Sequence, residues 1–143
     1  MTVFDQAGFD ARLEWGGAGA LVVLAGCLRN ASAVARAARE AGEDGAVAVV
    51  AAGKRRPDGS LRPAVEDLLG AGAVLHALAG RPSPEARAAV AAFRQRDLPG
   101  DLLACASGRE LAALGRVAEV RLAAEHDVSR VVPVLRDGAF TAA

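Results

Sequence analysis

Two segments of the chain bring charged and amide side chains to places where a small anion could be held. The first is Gly26-Cys27-Leu28-Arg29-Asn30. The second is Gly53-Lys54-Arg55-Arg56, which continues through Asp58 and Arg62 to Glu66 and Asp67. Each follows a short apolar run with strand character, and open α/β sheets bind ligands beyond the carboxyl ends of their strands. If the two strands are neighbours, Arg29, Asn30, Lys54 and Arg62 converge with helix-end N–H groups, which makes an anion site. Glu66 and Asp67 add hard oxygen ligands. Anion donors beside carboxylates suit Mg²⁺-assisted phosphate chemistry, in which the metal bridges carboxylate and phosphoryl oxygens and offsets their charge. Each piece also has a plain structural role open to it. Asn30 reads as a helix N-cap, the Lys54–Arg56 cations as a solvated loop, and Glu66-Asp67 as charges that complement a helix dipole.

The remaining reactive side chains give less. Cys27 and Cys105 form no CxxC pair and no metal spacing, and read as small core residues. His76 falls near the apolar stripe of a helix. His126 stands beside Asp127, a weak pairing signal. No P-loop, GxGxxG, GxSxG or HExxH motif occurs.

These residues need elements to position them. Residues 21–25 form an apolar run bounded by glycines, which suits a strand buried on both faces. A helix is predicted over 31–41, with Val34, Ala35, Ala38 and Ala41 inward and Arg36, Arg39, Glu40 and Glu43 in water. Residues 46–50 make a second buried-type strand. Pro57-Asp58-Gly59 centres a turn. Pro63 suits a helix start, and the spacing of Val65, Leu68, Leu69, Gly72, Leu75 and Leu78 carries that helix to about residue 79. Gly70 and Gly72 within it imply close packing. Ser83-Pro84-Glu85 opens another helix with Ala86, Val90 and Phe93 inward. Ser107-Gly-Arg-Glu110 reads as a capping box before a shorter helix. Residues 117–122 and 131–135 are strand candidates, with Asp137-Gly138 a turn after the second. The expected fold class is α/β: a single layered α/β domain with a short, mainly parallel sheet flanked by helices. Residues 1–17 read as an irregular lead-in and 18–143 as the domain.

Composition narrows the function classes. The 143 residues are 52% apolar, which excludes disorder. Seventeen basic and seventeen acidic residues cancel. No basic footprint for nucleic acid or a membrane surface results, and five aromatic residues give no base-stacking platform. Lys54 is the only lysine among many arginines, and alanine dominates the apolar set. The longest apolar run is too short to span a bilayer. With no signal-peptide pattern, a cytoplasmic location with reduced thiols is expected.

The ordered string of segments resembles the 2-phosphosulfolactate phosphatase family. The resemblance rests on Val23-Leu-Ala-Gly-Cys-Leu-Arg-Asn-Ala-Ser-Ala-Val-Ala35 and on Ala51-Ala-Gly53 with Glu66-Asp67 and the small-residue helix beyond. Ser107-Gly-Arg-Glu-Leu111, Asp127-Val-Ser129 and Val132-Pro-Val-Leu-Arg-Asp-Gly-Ala-Phe140 follow in order. Residues 6–16 look like the opening of bacterial members, and the family's first half is expected to be missing between that stretch and residue 21. The resemblance implies hydrolysis of (R)-2-phospho-3-sulfolactate to sulfolactate and phosphate with Mg²⁺ as cofactor. Charge and position then assign Glu66 and Asp67 to the metal or the attacking water. They assign Arg29, Asn30, Lys54 and Arg62 to the phosphate or sulfonate, and Asp127 to a further polar role. The alternative is a shortened, non-catalytic relative that binds a small organic anion or a partner chain. An open sheet edge would favour a homo-oligomer.

Overall fold

The fold was taken from a computed structural model that describes residues 2–4, 22–42 and 46–142. Five strands form the main sheet: β1 (Thr2–Phe4), β2 (Val23–Ala25), β3 (Ala48–Val49), β6 (Pro133–Arg136) and β7 (Ala139–Ala142), in the order β3-β1-β2-β6-β7. Strand β1 runs parallel to both β2 and β3. Strand β6 is antiparallel to β2 through Leu24 and Val134, and β7 is antiparallel to β6. A separate two-stranded hairpin, β4 (Lys54–Arg55) and β5 (Leu61–Arg62), is also antiparallel.

The expectation of a mainly parallel sheet is therefore corrected. The sheet is mixed, with two parallel pairings and two antiparallel ones, and the separate β4–β5 hairpin is antiparallel as well. The physical reason lies in the connections. Asp137 and Gly138 both take positive φ and close a tight β6–β7 hairpin, which forces an antiparallel pair. The stretch read as an irregular lead-in also contributes a strand, β1, between β2 and β3. Trp15, the 6–16 stretch, Leu21 and Glu43 lie outside the described residues.

A 3₁₀ turn at Leu28–Asn30 leads into helix α1 (Ala31–Gly42). Helices α2 (Val65–Ala77), α3 (Pro84–Arg94), α4 (Leu98–Ala104), α5 (Ala106–Ala113) and α6 (Val117–Ala123) follow. Helix α1 buries Ala31, Ala33, Val34, Ala35 and Ala38, so its inner face is turned toward the N-terminus from the predicted stripe, and Ala41 is exposed. Ser83 caps α3 by accepting the Ala86 N–H, as its Ser-Pro-Glu signature implies. Residues 117–122 are helix rather than strand. Their apparent alternation has one buried member, Val120, while Leu122 is exposed, and the flanking alanines favour helix. The predicted capping box at Ser107 is also corrected. Helix α5 starts at Ala106, two residues earlier than a cap at Ser107 would place it, and the Cys105 sulfur accepts the Gly108 N–H.

Phe93, Leu24, Val34 and Val74 are the largest fully enclosed side chains, and alanines fill much of the remaining core. Small side chains let elements approach closely. One such approach is Gly72 of α2 against α3, where an added Cβ would collide with the Ala89 carbonyl oxygen and sit 2.8 Å from Phe93 Cβ. Gly70, two residues away and so on the opposite side of α2, would place a Cβ no nearer than 3.9 Å to the Cys27 Cα. Among the described residues no helix is long and apolar enough to cross a membrane.

The two glycines therefore give opposite expectations. Gly72→Ala overpacks the α2–α3 contact and should cost about 1–3 kcal/mol. Gly70→Ala meets ordinary contact and gains helix propensity, so it should be neutral or stabilising by up to about 1 kcal/mol. Urea denaturation of both variants checks this; a Gly72→Ala protein as stable as wild type would show that the helices can move apart without cost.

Candidate functional site

A cleft of about 220 Å³ opens beyond the carboxyl ends of β2 and β3. Gly26, Cys27 and Leu28, which follow β2, form one wall, and residues 50–52, which follow β3, form another. Helix α2 supplies Glu66, Asp67 and Gly70. Cys105, Ser107 and Gly108 from the α4–α5 junction close it, with Leu102, Leu111 and Val120 making an apolar back. Its position is where the carboxyl-end rule puts a ligand.

The polar groups at this cleft are held by one another. Asp67 is buried, and its Oδ2 accepts the Gly53 N–H at 2.6 Å. Gly53 takes φ +72°, and its position leaves no room for a side chain beside the Arg62 carbonyl, 2.8 Å from where a Cβ would stand. Only glycine fits both demands. This bond fixes the root of the β4–β5 hairpin against the first turn of α2. The far side of the hairpin is fixed by Glu110 of α5. Lys54 Nζ donates to Glu110 Oε2 at 2.6 Å, and Arg62 Nη1 donates to Oε1 at 3.0 Å. Arg62 Nη2 also donates to Ser107 Oγ at 2.8 Å. The Lys54 ammonium, first, and the Arg62 guanidinium hold the Glu110 carboxyl below the usual glutamate range.

Cys105 carries the other perturbed group. Its Sγ lies 3.6 Å from Glu66 Oε2 and 3.2 Å from the Leu102 carbonyl oxygen. Burial, and then the Glu66 charge, push its thiol up, against the opposing Gly108 N–H. Cys27 is exposed on the opposite wall. Neither cysteine is the enclosed core residue that the sequence implies.

Of the residues the sequence singles out, Glu66 and Asp67 line the cleft, Arg62 reaches its edge through Ser107, and Lys54 joins Arg62 on Glu110. The structure gathers Arg29, Asn30 and Asp127 elsewhere, in a clasp between residues 28–32 and 127–131. Arg29 Nη1 donates to the Leu122 carbonyl at 3.0 Å and pairs with Glu125. Asn30 is buried and does not cap α1. Its Oδ1 accepts the Cys27 N–H at 2.8 Å, and its Nδ2 donates to the Val131 carbonyl at 3.0 Å. The cap of α1 comes from Asp127, which accepts from the Ser32 N–H at 2.7 Å and the Ser32 hydroxyl at 2.6 Å. His126 Nε2 lies 3.3 Å from the same carboxylate, and the His76 and His126 rings both lean on Phe93. Sequence reasoning missed Glu110. Its charge, opposite to that of Lys54 and Arg62, was a signal, but nothing in sequence brings positions 48 and 56 residues apart together.

Among the described residues no group of three or more His, Cys, Asp or Glu side chains forms a metal cage. Glu66, facing the cleft, and the neighbouring Asp67 fit a different arrangement. A hard cation such as Mg²⁺ takes one or two carboxylates and fills its other positions with water and substrate oxygens.

A family model described as 2-phosphosulpholactate phosphatase matches residues 17–138. The chain is also 38% identical over 116 residues to a 2-phosphosulfolactate phosphatase of Methanothermobacter thermautotrophicus, covering 80% of this chain and 48% of that protein. The chain thus spans about half the length of the curated relative it matches.

The Cys105 environment sets a pH dependence. A thiol whose pKa is raised is less ionised at neutral pH, and the thiolate is the reactive form. Iodoacetamide labelling followed by peptide mass spectrometry should show Cys105 reacting more slowly than an unperturbed thiol, with its rate rising only at higher pH. Glu66→Gln removes a charge that opposes ionisation and should speed Cys105 labelling; no change would show that the carboxylate does not sense the thiol.

Proposed function

The chain belongs to the 2-phosphosulfolactate phosphatase family, and on that premise we propose that its cleft hydrolyses the phosphoester of (R)-2-phospho-3-sulfolactate to sulfolactate and phosphate. The observation that supports this reading is a cleft beyond β2 and β3 lined by Glu66, Asp67 and Ser107, with Arg62 bonded to Ser107 at its edge and Lys54 beside Arg62 on Glu110. Phosphoryl transfer asks mainly for positioning and for charge stabilisation. Arg62 and Lys54 at the rim are the groups suited to phosphoryl or sulfonate oxygens. Asp67 keeps the Gly53 backbone, and so the hairpin that carries both cations, in place. In this reading Glu66 accepts a proton from the water that attacks phosphorus. The ester P–O bond then breaks, and the leaving alkoxide takes up a proton from solvent. Mg²⁺, when bound at Glu66 and Asp67, supplies neutralisation of phosphoryl charge. The apolar back wall keeps the site poor in water, which strengthens each of these interactions.

A second reading, binding of a small organic anion without turnover, is favoured by one observation. Arg29, Asn30 and Asp127, which the sequence offers as further donors and acids, are engaged in the clasp. Phosphate release from the phosphoester in the presence of Mg²⁺ separates the two. The hydrolytic reading expects steady release, reduced about 10²-fold or more by Glu66→Gln. Stabilisation by the substrate in a thermal melt with no phosphate released would replace hydrolysis by binding. Asn30→Ala, a change in the clasp, should lower the melting temperature whichever reading holds, because it removes the side chain that ties the Cys27 N–H to the Val131 carbonyl and leaves a gap where the amide was buried.

A further inference from the structure

We infer that Glu110 is a built-in competitor for the anionic group of the ligand, so that the cleft's two rim cations become available only when this carboxylate is displaced. The inference rests on the reading that Arg62 and Lys54 receive a phosphoryl or sulfonate group. It adds a residue that sets which anions can enter.

The geometry is that of a carboxylate standing in for an oxyanion. Glu110 gives one oxygen to Lys54 and the other to Arg62, at 2.6 and 3.0 Å. Two oxygens of a tetrahedral phosphoryl or sulfonate group would use the same two donors in the same way. The two cations come from adjacent strands of one hairpin, β4 and β5, whose register sets Lys54 directly opposite Arg62. The separation of their Cα atoms is therefore fixed by the backbone and not by Glu110. The carboxylate reaches them from a separate element, α5. It can leave without disturbing the pair.

Charge makes displacement necessary. Lys54 and Arg62 carry two positive charges, and Glu110 cancels one. Glu66 and Asp67 stand at the same cleft. With Glu110 in place the group is net negative and repels an incoming anion; with Glu110 turned outward it is neutral before any cation binds. The exchange is open to it, because the Glu110 side chain is half exposed whereas Arg62 is only 19% exposed. The mobile partner is thus the acid and the fixed partner the guanidinium, which Ser107 also holds. A dianionic tetrahedral group outbids a single carboxylate for two cations, whereas a monocarboxylate offers no more than Glu110 already gives. Glu110 therefore discriminates for dianionic phosphate monoesters against simple carboxylic acids.

Inorganic sulfate is the probe, since it carries the tetrahedral dianion and cannot be turned over. Calorimetric titration into the full-length chain should show Glu110→Gln binding sulfate at least fivefold tighter than wild type. Glu119→Gln, which removes the same charge from the Arg116 pair of α6, should leave affinity within twofold. Acetate should gain more than sulfate does in Glu110→Gln, because the competitor it could not displace is gone. If the glutamine variant does not fold, Glu110→Asp keeps the charge and the helix but falls short of bridging both cations, and it should gain in the same direction. Equal or weaker sulfate binding by the folded Glu110 variant, an equal gain in Glu119→Gln, or no sulfate binding by either protein would overturn the inference. The phosphate-release assay is read separately: its failure removes hydrolysis and leaves the sulfate comparison standing.

Discussion

The clasp between residues 28–32 and 127–131 is the constraint on which the rest of the structure depends. Asn30 is a buried amide, and a buried polar group without partners is costly. Its bonds to the Cys27 N–H and the Val131 carbonyl satisfy it and join segments 101 residues apart. The backbone adds Asp127 N–H to the Leu28 carbonyl and Ser129 N–H to the Arg29 carbonyl. The side chain of Asp127 then finishes the start of α1. Because this late segment is pinned beside the turn after β2, the chain enters β6 next to β2 and running against it. The mixed character of the sheet and the shape of the cleft wall at Cys27 follow from one set of hydrogen bonds.

The cleft shows a division of labour between groups fixed by backbone and groups fixed by charge. Asp67, Gly53 and the β4–β5 register belong to the first kind. They hold positions through short bonds to main-chain atoms and lose little to solvent. The Lys54–Glu110 pair belongs to the second. It is open to water, where ion pairs are worth little and are weakened by salt. A site of this build keeps its floor while its rim adjusts, which suits a ligand that must enter past charged side chains.

Much of the scaffold was legible in sequence because it is local. The strand at Val23–Ala25, helix α1, the Pro57-Asp58-Gly59 turn, the Ser83 cap and the Asp137-Gly138 hairpin each follow from a few adjacent residues. The cleft was legible only in part: Glu66 and Asp67 line it, but β1 stands between β2 and β3, and Arg29 and Asn30 turn to the clasp instead. What could not be read depends on distant partners. Asn30 has the chemistry of a cap, and only the arrival of Val131 makes it a tether. Residues 117–122 alternate like a strand, and only burial of Val120 with exposure of Leu122 shows a helix. Cys105 looks like core until Glu66 is found beside it. In each case the residue type was informative and the contact decided its use.

The β6–β7 hairpin also limits where the sheet can grow. On its side, β2 is already paired with an antiparallel strand, and entry of a new strand there would break the Leu24–Val134 register together with the Asn30 bond to Val131. A further parallel strand, with the crossover helix that such a strand requires, leaves these bonds intact when it is added at an edge of the sheet and breaks them when it is inserted between β2 and β6. Architectural variation that preserves the cleft is thereby kept to the sheet's edges, and the β2–β6 junction is the seam that has to stay closed.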